Sequence, residues 1–150
     1  MKRTIATVAL IVFGTIAGTG SAATKPKPKP KTKPALPKTL TTPTGNFVTL
    51  YGFSLPAGKS TIANFDVGIC TSAHTPKGTY AYPEFFTLSV SSGAQVHLAP
   101  TAAKSPALTI QAMGPKQCVR GWITFDVPRF THATALDYTA LGAPIVWKLS

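Results

Sequence analysis

The sequence predicts an all-β, antiparallel sandwich of seven to eight strands, and three observations predict it. From Gly45 onward apolar and polar residues alternate along short runs, clusters of glycine, proline and serine separate those runs, and no segment keeps a 3.6-residue period with helix caps. Alternation gives each strand one apolar face, and two facing layers bury both. A closed barrel is the alternative that periodicity leaves open.

Residues 1–23 read as a secretory signal peptide. Met1-Lys2-Arg3 is basic, an apolar and small-residue run extends from Ile5 to about Gly18, and Gly20-Ser21-Ala22-Ala23 supplies small residues for cleavage. The run is shorter than the ~20 apolar residues of a spanning helix, and glycine and threonine interrupt it. Cleavage after Ala22 or Ala23 is therefore expected rather than a retained anchor. No cysteine follows for lipid attachment, and the mature chain is expected to carry no transmembrane segment.

Residues 24–44 read as a linker, flexible or polyproline II, with six prolines and little that could form a core. Proline fixes φ and biases its predecessor toward extended geometry, so the Lys-Pro alternation favours a rod reaching on the order of 60 Å if fully extended. Of the formal charge of +11, Lys2 and Arg3 leave with the signal, and Lys25, Lys27, Lys29, Lys31, Lys33 and Lys38 lie in this arm. From Gly45 onward seven cations face four acids, a net of +3. Lysines two apart on a three-residue turn point all around the rod, which suits a polyanion but presents no base-reading surface. A specific nucleic-acid partner is not expected. The arm is either a solvated spacer or a contact for anionic wall or surface polymers, and Pro34-Ala35-Leu36-Pro37, though it fits the PxxP spacing, reads as spacer.

Residues 45–150 read as the folded domain. Asn46 to Leu55 is a strand of mixed sidedness. Phe65, Val67 and Ile69 share a face opposite Asn64, Asp66 and Gly68; Phe86, Leu88 and Val90 alternate with Phe85, Thr87 and Ser89. A short strand covers Gln95 to Leu98, and Leu108 and Ile110 alternate with Thr109 and Gln111. In Gln117-Cys118-Val119-Arg120-Gly121-Trp122-Ile123-Thr124-Phe125-Asp126-Val127-Pro128, the odd apolar positions face one way and Arg120, Thr124 and Asp126 the other. Leu136 with Tyr138, then Ile145, Trp147 and Leu149, form the last inward rows. Turn signals stand at Pro56-Ala57-Gly58, Ser91-Ser92-Gly93, Gly114-Pro115, Pro128 and Gly142-Ala143-Pro144. Short strands at this spacing point to the immunoglobulin-like kind of sandwich.

Parity places Cys70 and Cys118 on the outward faces at the ends of their strands. In an oxidising compartment an even cysteine count pairs, so a Cys70 to Cys118 disulfide is expected on the non-core side. Trp122 shares that face, either packed over the bridge or as a ligand anchor.

The order Cys70, the Phe86-x-Leu88 run, the CVRGWITFDVP strand and the terminal Ile145-Val146-Trp147-Lys148-Leu149 resembles a family of exported immunoglobulin-like domains of unknown function from Gram-positive, especially actinobacterial, bacteria. The architecture is similar to that of the mycobacterial immunoprotective extracellular protein. The resemblance spans about Gly45 to Ser150 and implies a sandwich exported behind a polar linker. It implies no catalytic residue.

Enzyme chemistry finds little purchase. Cys118 stands near Arg120, and His74, His97 and His132 lie elsewhere, but the sortase TLxTC strand and the His-Gly-Cys signature of other wall transpeptidases are absent. A nucleophilic cysteine must be a thiolate, which a disulfide forbids. Asp66 and Asp126 lie on outward faces with nothing to pair them across a cleft. Neither a Gly-x-Ser-x-Gly elbow nor a phosphate loop occurs. Cys70 and His74 make two ligands, short of a metal site, and no cofactor is expected. The loop Thr71 to Pro83 carries Tyr80 and Tyr82 among small residues, a composition suited to contacting a protein or glycan, unless both rings fold back onto the sandwich edge. The reading is thus a secreted or envelope-associated noncatalytic binding or structural module. A wall-modifying transpeptidase or hydrolase is the alternative, and a periplasm-spanning coupling protein a third.

Overall fold

The computed structural model describes residues 35–57, 59–140 and 144–149. The signal peptide at 1–23 and Lys25, Lys27, Lys29, Lys31 and Lys33 lie outside the described residues. Strands β1 (Lys38–Thr41), β2 (Phe47–Ser54), β3 (Ile62–Cys70) and β8 (Cys118–Asp126) form one sheet in the order β1-β2-β3-β8. A second sheet runs β10-β9-β5-β6, from β5 (Phe86–Val90), β6 (Gln95–Val96), β9 (Ala133–Tyr138) and β10 (Ile145–Lys148). Between them in sequence lie β4 (Thr79–Ala81) and β7 (Gln111–Met113), which pair with each other, and a 3-10 turn at Pro83–Phe85. The protein is all-β, and the ladders between its strands are antiparallel.

The two larger sheets share one hydrophobic core, an arrangement consistent with a β-sandwich. Val48, Leu50, Phe65, Val67, Ile123 and Phe125 come from one sheet, and Phe86, Leu88, Leu136 and Trp147 from the other. Phe65 meets Phe125 edge to face, ring centroids 5.6 Å apart. Trp147 reaches across the layers: its indole Nε1 donates to the Lys38 carbonyl of β1 at 3.1 Å.

That hydrogen bond locates the edge of the domain. β1 lies inside the stretch read as linker, so the sheet begins at Lys38 rather than at Gly45. The physical reason is local: Lys38-Thr39-Leu40-Thr41-Thr42 is free of proline, and threonine and leucine can use the edge of β2. Lys38 is consequently a strand residue with an exposed side chain, and Leu36 and Leu40 pack against the core.

The mixed sidedness of the second strand has a cause too. The β2–β3 register shifts between Leu50 and Gly52, so Tyr51 is an extra residue in a bulge. The inward row passes from even positions (Val48, Leu50) to Phe53, which joins the core against Phe65 at 5.8 Å.

The strand expected around Leu108 and Ile110 is a correction. Leu108 is buried, but Ile110 is 55% exposed. Residues 98–108 instead follow the free edge of β8 through isolated bridges, Leu98 with Phe125 and Ala107 with Trp122. Pro100 and Pro106 lack the N–H groups that a continuous ladder needs. The edge of β8 is still covered: Trp122 N–H donates to the Pro106 carbonyl at 2.8 Å, and Leu108 N–H to the Trp122 carbonyl at 2.9 Å. Gly121 permits this crossing, since a Cβ there would lie 2.7 Å from Ala107 C and Leu108 Cα.

Candidate functional site

Cys70 and Cys118 are directly opposite in the β3–β8 ladder, with Cα atoms 4.1 Å apart, and they form a disulfide. Both stand on the outward face, Cys118 exposed and Cys70 half-buried. The arginine two residues on is not aimed at sulfur. Arg120 grips Asp66, Nε to Oδ1 at 2.9 Å and Nη2 to Oδ2 at 2.6 Å, and its guanidinium lies 3.9 Å from the Tyr51 ring centroid. Those hydrogen bonds raise the Arg120 pKa further above its usual range. Gly68 leaves room for the tyrosine, because a Cβ there would meet Tyr51 Cε2 at 2.9 Å. Trp122, opposite Asp66, is half-buried on the same face beneath Lys104, whose Nζ lies 4.2 Å from its ring centroid.

The ladder continues one step past the bridge. Thr71 N–H donates to the Gln117 carbonyl at 2.8 Å, while Thr71 Oγ1 donates to the Gly114 carbonyl at 2.6 Å and accepts from Gln117 N–H at 2.9 Å. This brings β7 against the loop that leaves β3. On the other side, Asn46 Oδ1 accepts from Ser72 N–H at 3.1 Å and from Thr75 Oγ1 at 2.8 Å, tying the same loop to the β1–β2 turn. That turn closes on Gly45, whose φ of +80° favours glycine.

A recess of about 400 Å³ opens where these segments meet. Its walls carry Tyr80, Tyr82 and Phe85, with ring centroids at successive distances of 5.7 and 5.2 Å. Met113 and Ile69 are buried beneath, and Tyr138 closes the far side, its ring 6.2 Å from Phe85. Tyr80 is 45% exposed and Tyr82 half-buried, so the pair folds partly onto the sandwich edge and partly presents itself. Among the described residues, no charged side chain lines this recess.

Tyr138 is the residue that sequence reasoning missed as a site. It was expected to face the core, and it is only 5% exposed. Yet its phenol hydroxyl has no hydrogen-bond partner among the described residues, while no fully buried side-chain oxygen is left unpaired, so this oxygen must reach the surface. Burial pushes the phenol pKa up to about 12, which keeps the proton in place as a donor. The signal lay in the residue type: a tyrosine on an inward row at a strand end needs an outlet for its hydroxyl.

The sequence-predicted contact residues thus divide. Tyr80 and Tyr82 share the recess, whereas Trp122 belongs to the outward face of the β3–β8 ladder. A larger recess of about 510 Å³ lies between two turns, bounded by Lys59, Arg129 and the fully exposed Phe130. It gathers cations, and among the described residues no buried polar group lines it to orient a ligand. His74, His97 and His132 are exposed, and among the described residues no three of histidine, cysteine, aspartate and glutamate come together. No described helix is long and apolar enough to cross a membrane. No protein-family model, curated protein or solved structure matches the chain.

Proposed function

We propose that the chain is a secreted, noncatalytic module of the cell envelope or extracellular space, in which an immunoglobulin-like sandwich offers a tyrosine-walled recess and a cationic arm adds attraction to anionic wall polymers. The recess carries the reading. Its aromatic walls, uncharged lining and unpartnered Tyr138 hydroxyl suit recognition. General acid–base or nucleophilic chemistry would need a titrating or thiolate group at the site, and the disulfide occupies both thiols.

Strand adjacency supports the immunoglobulin-like assignment. With β2, β3 and β8 as strands A, B and E, and β10, β9, β5 and β6 as G, F, C and C′, the sheets read A-B-E and G-F-C-C′. β1 is then an added edge strand. The bridge joins B to E within one sheet, where antibody domains join B to F across the core. On these grounds and the CVRGW strand, we group the chain with the exported Gram-positive domains it resembles.

Retention of the exported protein on isolated cell walls over a salt series tests the reading. Deleting residues 24–33, which spares β1, is expected to remove the salt-sensitive part of retention. The Tyr80→Ala and Tyr82→Ala changes together are expected to remove the salt-insensitive part. Retention equal in all three proteins would overturn both roles, and an intact mass without the loss of two hydrogens and residues 1–23 would overturn export.

A further inference from the structure

We infer that the recess takes an uncharged sugar ring of a glycan chain, an inference that rests on its being the recognition site. Size comes first. A volume of about 400 Å³ sits at the low end of small-ligand pockets, fitting one or two rings rather than a folded partner. Charge comes second. With no charged side chain among the described lining residues, a phosphate, carboxylate or ammonium would lose hydration without a counter-charge.

The decisive ledger is that of hydrogen bonds. Most polar groups around the recess are spent within the protein: Thr71 on Gly114 and Gln117, Thr79 on the Pro76 carbonyl at 2.9 Å, Thr42 on Thr44 at 2.9 Å, and Asn46 Oδ1 on Ser72 and Thr75. The phenols of Tyr80, Tyr82 and Tyr138 make no hydrogen bond among the described residues. Tyr138 is the most buried of the three, and its hydroxyl, which reaches the surface, belongs to a ring that lines the recess. An aliphatic side chain or acyl chain filling the recess would strand that donor, at a cost of roughly tenfold in affinity. A wholly polar ligand would leave the faces of Tyr80, Tyr82 and Phe85 unmatched. A neutral sugar ring satisfies both demands, since its C–H face lies on aromatic rings and its hydroxyl and ring oxygens accept from phenols.

The test is an amide NMR titration of the mature protein with cellobiose, maltose and N,N′-diacetylchitobiose, with glucuronate and indole as charged and apolar comparators. At least one neutral disaccharide is expected to shift the amides of Thr79 to Phe86 and Thr139 saturably, and glucuronate is not. Tyr138→Phe keeps the ring and the fold and should weaken that binding about tenfold. Tyr80→Ala, at an exposed position, should weaken it at least as much, and Trp122→Ala should leave it unchanged. Silence toward all three disaccharides, binding of indole alone, or unaltered affinity in Tyr138→Phe would overturn the inference. If wall retention still depends on Tyr80 and Tyr82 while every sugar is silent, the ligand class falls and the recognition site stands; if neither holds, both fall.

Discussion

Replacing Cys70 and Cys118 together by alanine is expected to cost the domain about 4 kcal/mol. The bridge spans a sequence separation of 48, and in the chain-entropy treatment closing a loop of that length removes ~4 kcal/mol of freedom from the unfolded chain at 25 °C. Little of the loss should arise in the folded state. β3 and β8 remain paired from Ile62 with Asp126 to Ile69 with Val119, and both cysteines face away from the core, so the alanines open no core cavity. Urea unfolding followed by tryptophan fluorescence should show the midpoint falling by ~2 M for a slope near 2 kcal/mol/M, with the slope unchanged or slightly steeper because the unlinked chain exposes more surface. On heating, the midpoint should drop by about 15 °C. Wild-type protein reduced under the same conditions should superimpose on the variant. A loss under ~1 kcal/mol would refute the loop-entropy reasoning, and a variant already unfolded without denaturant would show that the cross-link also holds the native pairing.

Gly121→Ala drives a Cβ into the crossing of Ala107 and Leu108 and should cost roughly 3 kcal/mol through overpacking and the loss of the Trp122 edge hydrogen bonds, read from urea midpoints and from faster amide exchange at Trp122. A chain begun at Gly45 loses β1 and leaves the Trp147 indole without its Lys38 acceptor; against a chain begun at Ala35 it should be less stable by about 3 kcal/mol or more. The Tyr138 phenol, raised to about 12 in the folded state against ~10 unfolded, contributes stability that is complete below pH 10 and is lost as pH rises toward 12. About 1.4 kcal/mol of that should be gone by pH 11, and Tyr138→Phe, compared by urea midpoints from pH 8 to 11, should abolish this alkaline loss. Phe130 is fully exposed with φ +65°, so Phe130→Asn should raise stability by up to ~1 kcal/mol, and a lower melting temperature would mean that the ring has a partner within the chain.

Side-chain parity made much of this fold legible. Where a strand runs without interruption, as in β3, β5 and β8, the alternation of Phe65, Val67 and Ile69, of Phe86, Leu88 and Val90, and of Ile123 and Phe125 names the core-facing row. Asn64 and Thr124, read as outward, are buried as well, hydrogen-bonded to each other beside the segment that covers the β8 edge. The same parity put the cysteines on the outer side. Legibility failed where backbone chemistry overrides alternation. The bulge at Tyr51 changes which parity is inward, and prolines at 100 and 106 convert an apparent strand into an edge-hugging segment. The proline-rich composition of the arm concealed the short proline-free piece that becomes β1. At the recess, Tyr80 and Tyr82 were visible because they share one short loop. Tyr138 and Met113 were not, since their proximity depends on contacts between segments far apart in the chain.

One further relation was implicit in the sequence. Once Cys70 is set opposite Cys118, equal steps back along β3 and forward along β8 place Gly68 opposite Arg120 and Asp66 opposite Trp122. The Arg120 to Asp66 pair is then a diagonal neighbour contact on the outer face. The same register, carried one step the other way, sets Thr71 against Gln117 and, through the Thr71 hydrogen bond to the Gly114 carbonyl, holds the neighbouring Met113 at the recess. Cys118 therefore has a positional role. It closes the ladder at the point where both strands hand over to the segments that form the recess, so the geometry around Tyr138 depends on a register that the disulfide pins.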